Sequence, residues 1–324
     1  MYTFREVMPS DIDGMIVLLK ERQLYENKMN QSINTNTIND SFLRSCLNDL
    51  LSKDYCGIVA KENNKIVGYI VAKLKEFSLS GKFAWVPYEG LAVDKTNPKD
   101  IIRNMYKYAA ERWVQKGYNK HSIYIPLGNP IYFEALMHLS FAIEQIYALL
   151  DLKDFPFQKF ENNYVIRKIT KEDASTLGKM SSIISKHQSK SPTFNPISKE
   201  ILLKIKEAFE NLVFEEDVLV YIAEEKKKPL GFFEFEFVTE DLLTPKACIE
   251  LCTAGIIDSK RNRGIGKLLM NFSVKELQKL NYDYILTDWK TSNLAASNFY
   301  PKFNFKPVAY RMQRIIPPHF SENK

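Results

Sequence analysis

Arg261-Asn262-Arg263-Gly264-Ile265-Gly266-Lys267 lies between an alternating run that ends near Ile257 and a segment of helical periodicity, and this turn decides how the chain is read. The first N–H groups of a helix have no partner within it, and glycines let that backbone approach an anion closely. The stretch therefore reads as an anion seat at a helix start, with Arg and Lys beside it. Two well-known phosphate loops are excluded. A Walker loop needs G-x-x-x-x-G-K-S/T, and a dinucleotide fingerprint needs a third glycine where Leu269 stands. The helix that follows is expected to pack Ile265, Leu268, Leu269 and Phe272 on the sheet.

Upstream, a strand over 246 to 257 is expected to place Cys248, Glu250, Cys252 and Ala254 on one face and Ile249 and Leu251 on the other. A neighbouring strand over 230 to 238 puts Phe233, Phe235 and Phe237 opposite Glu234 and Glu236. Glu250, Glu234 and Glu236 then either face one cleft together, where they attract a cationic amine, or form an ordinary solvent face. Past Ala254-Gly255 the alternation slips, which is consistent with a bulged, splayed strand.

The R-x-x-G-x-G turn resembles the acyl-coenzyme A pyrophosphate loop of the GNAT superfamily of N-acetyltransferases. The downstream segment from Thr287 to Phe305 is similar to that family's N-x-x-A-x-x-F-Y-x-K-x-G-F pattern through Asn293, Ala296, Phe299, Tyr300, Lys302 and Phe305. Asn304 stands where the family usually has glycine, and Asn tolerates a left-handed backbone better than most residues. Asp288-Trp289-Lys290 resembles a subset of tandem members, which adds Trp289 to Glu234 and Glu236 as candidate acceptor-binding residues.

The resemblance implies acetyl-coenzyme A as acyl donor, an amine acceptor, direct attack and no metal. It also implies that Arg261, Asn262, Arg263, Gly264, Ile265, Gly266 and Lys267 hold the pyrophosphate. Ile256 donates its N–H to the thioester oxygen, while Ile257 and Asn293 hold the pantetheine arm. Tyr300 is the general acid towards the departing thiolate and Glu250 the general base. A phenol of pKa ~10 is un-ionised at neutral pH and can give a departing thiolate, whose thiol has pKa ~8.5, a hydrogen bond or its proton.

The chain also repeats itself. Arg5, Val7 and Asp11 return as Arg167, Ile169 and Asp173 at an offset of 162; Gly68 returns as Gly231 at 163, and Asn129 as Asn293 at 164. The fold expected is therefore α/β, with two tandem GNAT-like domains over 1–155 and 163–316. Each is a mixed, mostly antiparallel twisted sheet flanked by helices. The boundary is expected around 152 to 162, where Asp154-Phe155-Pro156-Phe157 interrupts any periodicity and Glu161-Asn162-Asn163 precedes a new strand. At the 164 offset Arg261 falls on Asn97, Gly264 on Asp100, Gly266 on Ile102 and Tyr300 on Leu136, so the first copy reads as degenerate and non-catalytic.

At 324 residues the chain is long enough for two domains, and its 45% hydrophobic content fills two cores. The net charge of +6 is spread out, with no dense Lys/Arg block, so nucleic acid is not the expected partner. Cys46, Cys56, Cys248 and Cys252 have neither disulfide-framework nor metal-site spacing and read as small packing residues. With no apolar run of ~20 residues, a cytoplasmic protein without a membrane span is expected. A rival from another class is a non-catalytic protein that binds acyl-coenzyme A for regulation or interaction. Retention of Tyr300 and Glu250 favours the enzyme.

Overall fold

Each half begins with the same ion pair. Arg5 grips Asp11 through two hydrogen bonds of 2.7 and 2.6 Å, and Arg167 grips Asp173 through two of 2.7 and 2.8 Å. The computed structural model describes all residues except 32, 34–37, 78–80, 160–163, 196 and 318–324, so part of the expected linker, including Glu161-Asn162-Asn163, lies outside the described residues.

The first half runs β1 (Thr3–Glu6), α1 (Ile12–Met29), α2 (Asp40–Leu50), β2 (Tyr55–Glu62), β3 (Lys65–Phe77), β4 (Gly81–Val86), β5 (Leu91–Val93), α3 (Pro98–Gln115), β6 (Lys120–Pro126), α4 (Pro130–Met137) and β7 (Ala142–Asp151). The second runs β8 (Val165–Lys168), α5 (Ala174–Met180), α6 (Ser182–Gln188), α7 (Lys199–Asn211), β9 (Val218–Glu225), β10 (Lys228–Phe237), β11 (Cys248–Ile256), α8 (Ile265–Lys279), β12 (Tyr284–Lys290), α9 (Leu294–Phe299) and β13 (Lys306–Ile315).

The two hairpins turn alike. Asn63 and Asn64 between β2 and β3, and Lys226 and Lys227 between β9 and β10, all have positive φ, as tight two-residue hairpin turns require.

The residues group into two compact units, 1–147 with 240–245 and 307–324, and 148–239 with 246–306. In the first unit the sheet order is β1-β2-β3-β4-β6-β13, with β5 beside β3. Most pairs are antiparallel, and β4 runs parallel to β6. β13, which falls within the expected second domain of 163–316, belongs instead to the first unit. It pairs antiparallel with β6 from Ala309–Pro126 to Ile315–Lys120, and Met312 is buried in one core with Ile123, Ile125 and Trp113. Gln23 Nε2 also donates to the carbonyl of Leu242 in the same unit.

The second unit orders its strands β12-β11-β10-β9-β8, antiparallel except for the parallel pair β11–β12. A core of Leu177, Met180, Val220, Ile222 and Phe232 sits between this sheet and the α5–α7 layer. On α8 the buried stripe is Ile265, Leu269, Met270, Ser273, Val274 and Leu277. Leu268 and Phe272, expected on that face, lie at its margin, and Phe272 meets the Tyr221 ring edge-on at 5.3 Å.

Candidate active site

The parallel ladder between β11 and β12 runs from Cys248–Tyr284 to Leu251–Thr287, where Thr287 Oγ1 donates to the Leu251 carbonyl at 2.9 Å. Beyond it lies a cleft of about 650 Å3, lined from α6, the end of β11, the head of α8, and α9 with the turn after it. Its lining includes the cations Lys260, Arg261, Lys267 and Lys302 and, among the described residues, no Asp or Glu. Such a cavity favours an anion by its net field as well as by contacts.

The head of α8 shows why the glycines are needed. Gly264 caps the helix with φ +80°, and a Cβ there would meet nothing within 4 Å, so the position is open towards the cleft. At Gly266 the reason is packing: a Cβ would come within 3.1 Å of the Phe299 ring. Asn262 also has positive φ, at 60°. Arg261, Asn262, Gly264, Ile265, Gly266 and Lys267 all line the cleft, whereas Arg263 does not.

Arg261 is held on three sides. Its Nε donates to the Ile256 carbonyl at 3.3 Å, one Nη pairs with Asp258 at 3.0 Å, and the other donates to His187 Nδ1 at 2.8 Å. His187, on α6, was not singled out from sequence: it belongs to no motif, and its helix is a single seven-residue segment. On the opposite wall Asn293 caps α9, its Oδ1 accepting the Ala296 N–H at 3.3 Å.

Ile256 lines the cleft. Ile257 does not: its N–H donates to the Leu230 carbonyl at 2.9 Å and its carbonyl accepts from the Lys260 N–H at 2.8 Å. Ile257, expected to hold a pantetheine arm, thus lies outside the lining with both backbone groups paired within the chain. Successive N–H groups of a strand point to opposite edges, so the Ile256 N–H is directed away from β10.

Tyr300 lines the cleft with only 7% of its surface exposed, in the turn after α9, stacked on Trp289 at 5.0 Å. Burial pushes its hydroxyl pKa up to about 12; the Thr287 hydroxyl pulls the other way and Asp288 adds a smaller upward push. Trp289 is buried with its Nε1 unpartnered and is not part of the lining. Asn304 takes the left-handed conformation expected of it, φ 65°, and its side chain donates to the Asp154 carbonyl.

The carboxylates differ from expectation in one physical detail. Glu234 pairs with Thr253 but Phe235 pairs with Leu251, so Cys252 is the extra residue of a bulge. The bulge lies earlier than the expected slip at Ala254-Gly255, and it reverses the alternation. Ala254 joins Phe233 on the cleft side, while Glu250, opposite Glu236, shares a face with Glu234 and Thr253. The three glutamates therefore share a face but do not line the cleft. Glu234 is 4% exposed with one oxygen unpartnered; its pKa is raised by burial, lowered by Thr253, and raised again by Glu236. Nor is the second strand a simple two-faced one, since Phe232 to Phe235 are all buried and Phe237 is exposed.

Among the described residues no group of three or more His, Cys, Asp or Glu side chains could hold a metal ion, and no helix is long and apolar enough to cross a membrane.

Residues 186–305 match the Acetyltransferase (GNAT) family model, a span that contains the head of α8 and Tyr300. No curated protein matches the chain significantly in sequence. Among solved structures it is similar to a GCN5-related N-acetyltransferase from Sphaerobacter thermophilus (TM-score 0.61, 10% identity, 97% of this chain and 95% of that one). It is also similar to a tandem GNAT protein from the clavulanic acid biosynthesis pathway (0.53, 12%, 97% and 98%). A third is the glucosamine N-acetyltransferase region of a fungal multi-domain GH3 β-N-acetylglucosaminidase (0.58, 13%, 97% and 38%). The shared fold spans both halves, and the family match falls on the half with the cationic cleft: the chain has the fold of a tandem GNAT protein, and its residues 186–305 match the GNAT family model.

Proposed function

We propose that the second unit binds an acyl-coenzyme A in the cleft between β11 and β12 and transfers its acyl group, acetyl in the expected case, to a primary amine by direct attack. The observation that carries this reading is a cleft whose charged lining residues, around the head of α8 and the turn after α9, are all cations, with the buried Tyr300 hydroxyl in the same cleft. The phosphates sit on the N–H groups at the head of α8, with Arg261 and Lys267 beside them. Asn293 and the Ile256 backbone take the arm that carries the thioester.

The Ile256 N–H faces the thioester oxygen and stabilises the charge that grows there as the amine attacks. Tyr300, un-ionised across the neutral range, gives a proton or hydrogen bond to the thiolate as the carbon–sulfur bond breaks. An amine of pKa ~10 arrives protonated. The amine approaches from the other face of the sheet, through the opening beyond the Leu251–Thr287 pair, where Glu250, with Glu234 and Glu236 on the same face, draws it in and takes its proton through water. The acceptor is accordingly a cationic primary amine.

The test is a panel of cationic, neutral and anionic primary amines with acetyl-coenzyme A, read by thiol release. Amine-dependent release, largest for cationic acceptors, is expected. Coenzyme A binding without release for any amine would identify a non-catalytic binder instead.

A further inference from the structure

His187 joins the two walls of the cleft. Arg261 has only donors, so His187 Nδ1 accepts at 2.8 Å; the neutral ring then carries its proton on Nε2, which faces Asn293 Oδ1 at 3.1 Å. The chain runs from the anion seat through the α6 side chain to the cap of α9, and all three residues line the same cleft.

Each link constrains the next. Arg261 carries five N–H bonds, and its contacts with Ile256, Asp258 and His187 fix the plane of the guanidinium while leaving donors for a ligand. Asn293 Oδ1 receives both the Ala296 N–H and the His187 Nε2–H, so the side-chain amide is turned with its NH2 group away from His187. A guanidinium and an amide that are held before the ligand arrives lose less conformational freedom when it binds.

We infer that His187 is a positioning residue for the acyl donor: through paired hydrogen bonds it sets Arg261 against the phosphates and Asn293 against the arm, and so governs donor affinity rather than the chemical step. The inference rests on the proposal that this cleft takes coenzyme A. It assigns His187 no proton transfer and no contact with the reacting atoms.

The experiment is calorimetric titration of coenzyme A into the full chain carrying His187→Phe or His187→Gln, beside the unaltered protein. Phe keeps a ring of similar size and removes both hydrogen bonds; Gln offers one acceptor and one donor at the spacing of the imidazole nitrogens. Hydrogen bonds to charged groups are worth enough that affinity should fall about tenfold or more in His187→Phe and recover most of that loss in His187→Gln. In turnover, KM for acetyl-coenzyme A should move while kcat stays within about twofold, as loss of uniform binding requires.

An Asn293→Ala partner completes a double-mutant cycle, in which the His187→Phe loss should shrink once Asn293 is absent. Affinity of His187→Phe equal to the unaltered protein, or of His187→Gln no better than Phe, would overturn the inference. Failure of the unaltered protein to bind coenzyme A would overturn the proposed function and, with it, this inference. The tautomer is a check independent of any variant: imidazole nitrogen NMR of the free protein should show a neutral ring protonated on Nε2, and a proton on Nδ1 would also overturn it.

Discussion

In the second unit Ala296 and Ile256 both line the open cleft; in the first, the register counterpart of Ile256 is Val93, whose N–H is given to the Tyr132 hydroxyl at 3.4 Å. Tyr132 stands at the 164 offset from Ala296 and is buried, filling the space that alanine leaves. From α1, one turn apart, Arg22 donates to the carbonyls of Tyr88 and Leu91, and Glu26 accepts from the N–H groups of Gly128 and Asn129 at the head of α4. At the head of α9 the corresponding Asn293 meets His187 instead. The other helix start differs as well. α3 begins at Pro98 behind a left-handed Asn97, and Asp100, the counterpart of Gly264, accepts from Asn97 at 3.1 Å. Hairpins, ion pair and register are kept while a few side chains fill one cleft and line the other. Fold and chemistry are thus separable within one chain.

The largest effect that would test this contrast is on rate. Tyr300→Phe should lower turnover by ~10²- to 10⁴-fold while coenzyme A affinity changes little, since the ring and its stack on Trp289 remain. Measured at saturating substrates with chemistry rate-limiting, an unchanged rate would reassign Tyr300 to packing.

Opening the closed cleft is the converse. Tyr132→Ala should cost roughly 3–5 kcal/mol in urea unfolding, in line with other large buried aromatics. It should confer no coenzyme A binding on the first unit, because Asp100 and Glu26 remain. A second binding site in this variant would show that Tyr132 alone closes the cleft.

The smallest difference concerns the shared ion pair. Arg167 holds Asp173 at a pKa of about 2 against its ordinary 3.8, and it also pairs with Glu224; at Asp11 burial pushes upward, and the bonds from Arg5 and the Met8 N–H outweigh it, so its pKa is lowered as well. A depressed acid stabilises above its unfolded pKa and loses that stabilisation as pH falls through the folded one. Asp173→Asn should therefore cost ~2 kcal/mol at pH 7, with the gap closing between about pH 4 and pH 2. Asp11→Asn should show the same sign and a smaller loss. Denaturation curves at pH 7 and pH 3 read both, and a gap that widens in acid would refute the assignment.

The helix start at Gly264 was legible because glycine and charge together announce a turn that needs left-handed backbone and open space, and the duplication because Arg5, Gly68 and Asn129 each return in order. The bulge was misplaced for a physical reason: Cys252, the extra residue, is no glycine or proline, so nothing in its chemistry marks the break, and every residue beyond it changes face. That one shift took Ala254 to the cleft side and left Glu250 on the other. β13 reads as a strand in either unit, because periodicity fixes a face and not a neighbour. His187 was invisible, since what distinguishes it is the pair of side chains 74 and 106 residues away that meet it.

The central claim, one open anion cleft and one closed, is tested most directly by calorimetric stoichiometry of coenzyme A on the full chain, with Gly264→Asp as the paired variant. Gly264→Asp gives the second unit the residue that its counterpart carries. One site per chain, lost in Gly264→Asp, is the predicted result; two equivalent sites, or one that survives Gly264→Asp undiminished, would contradict it.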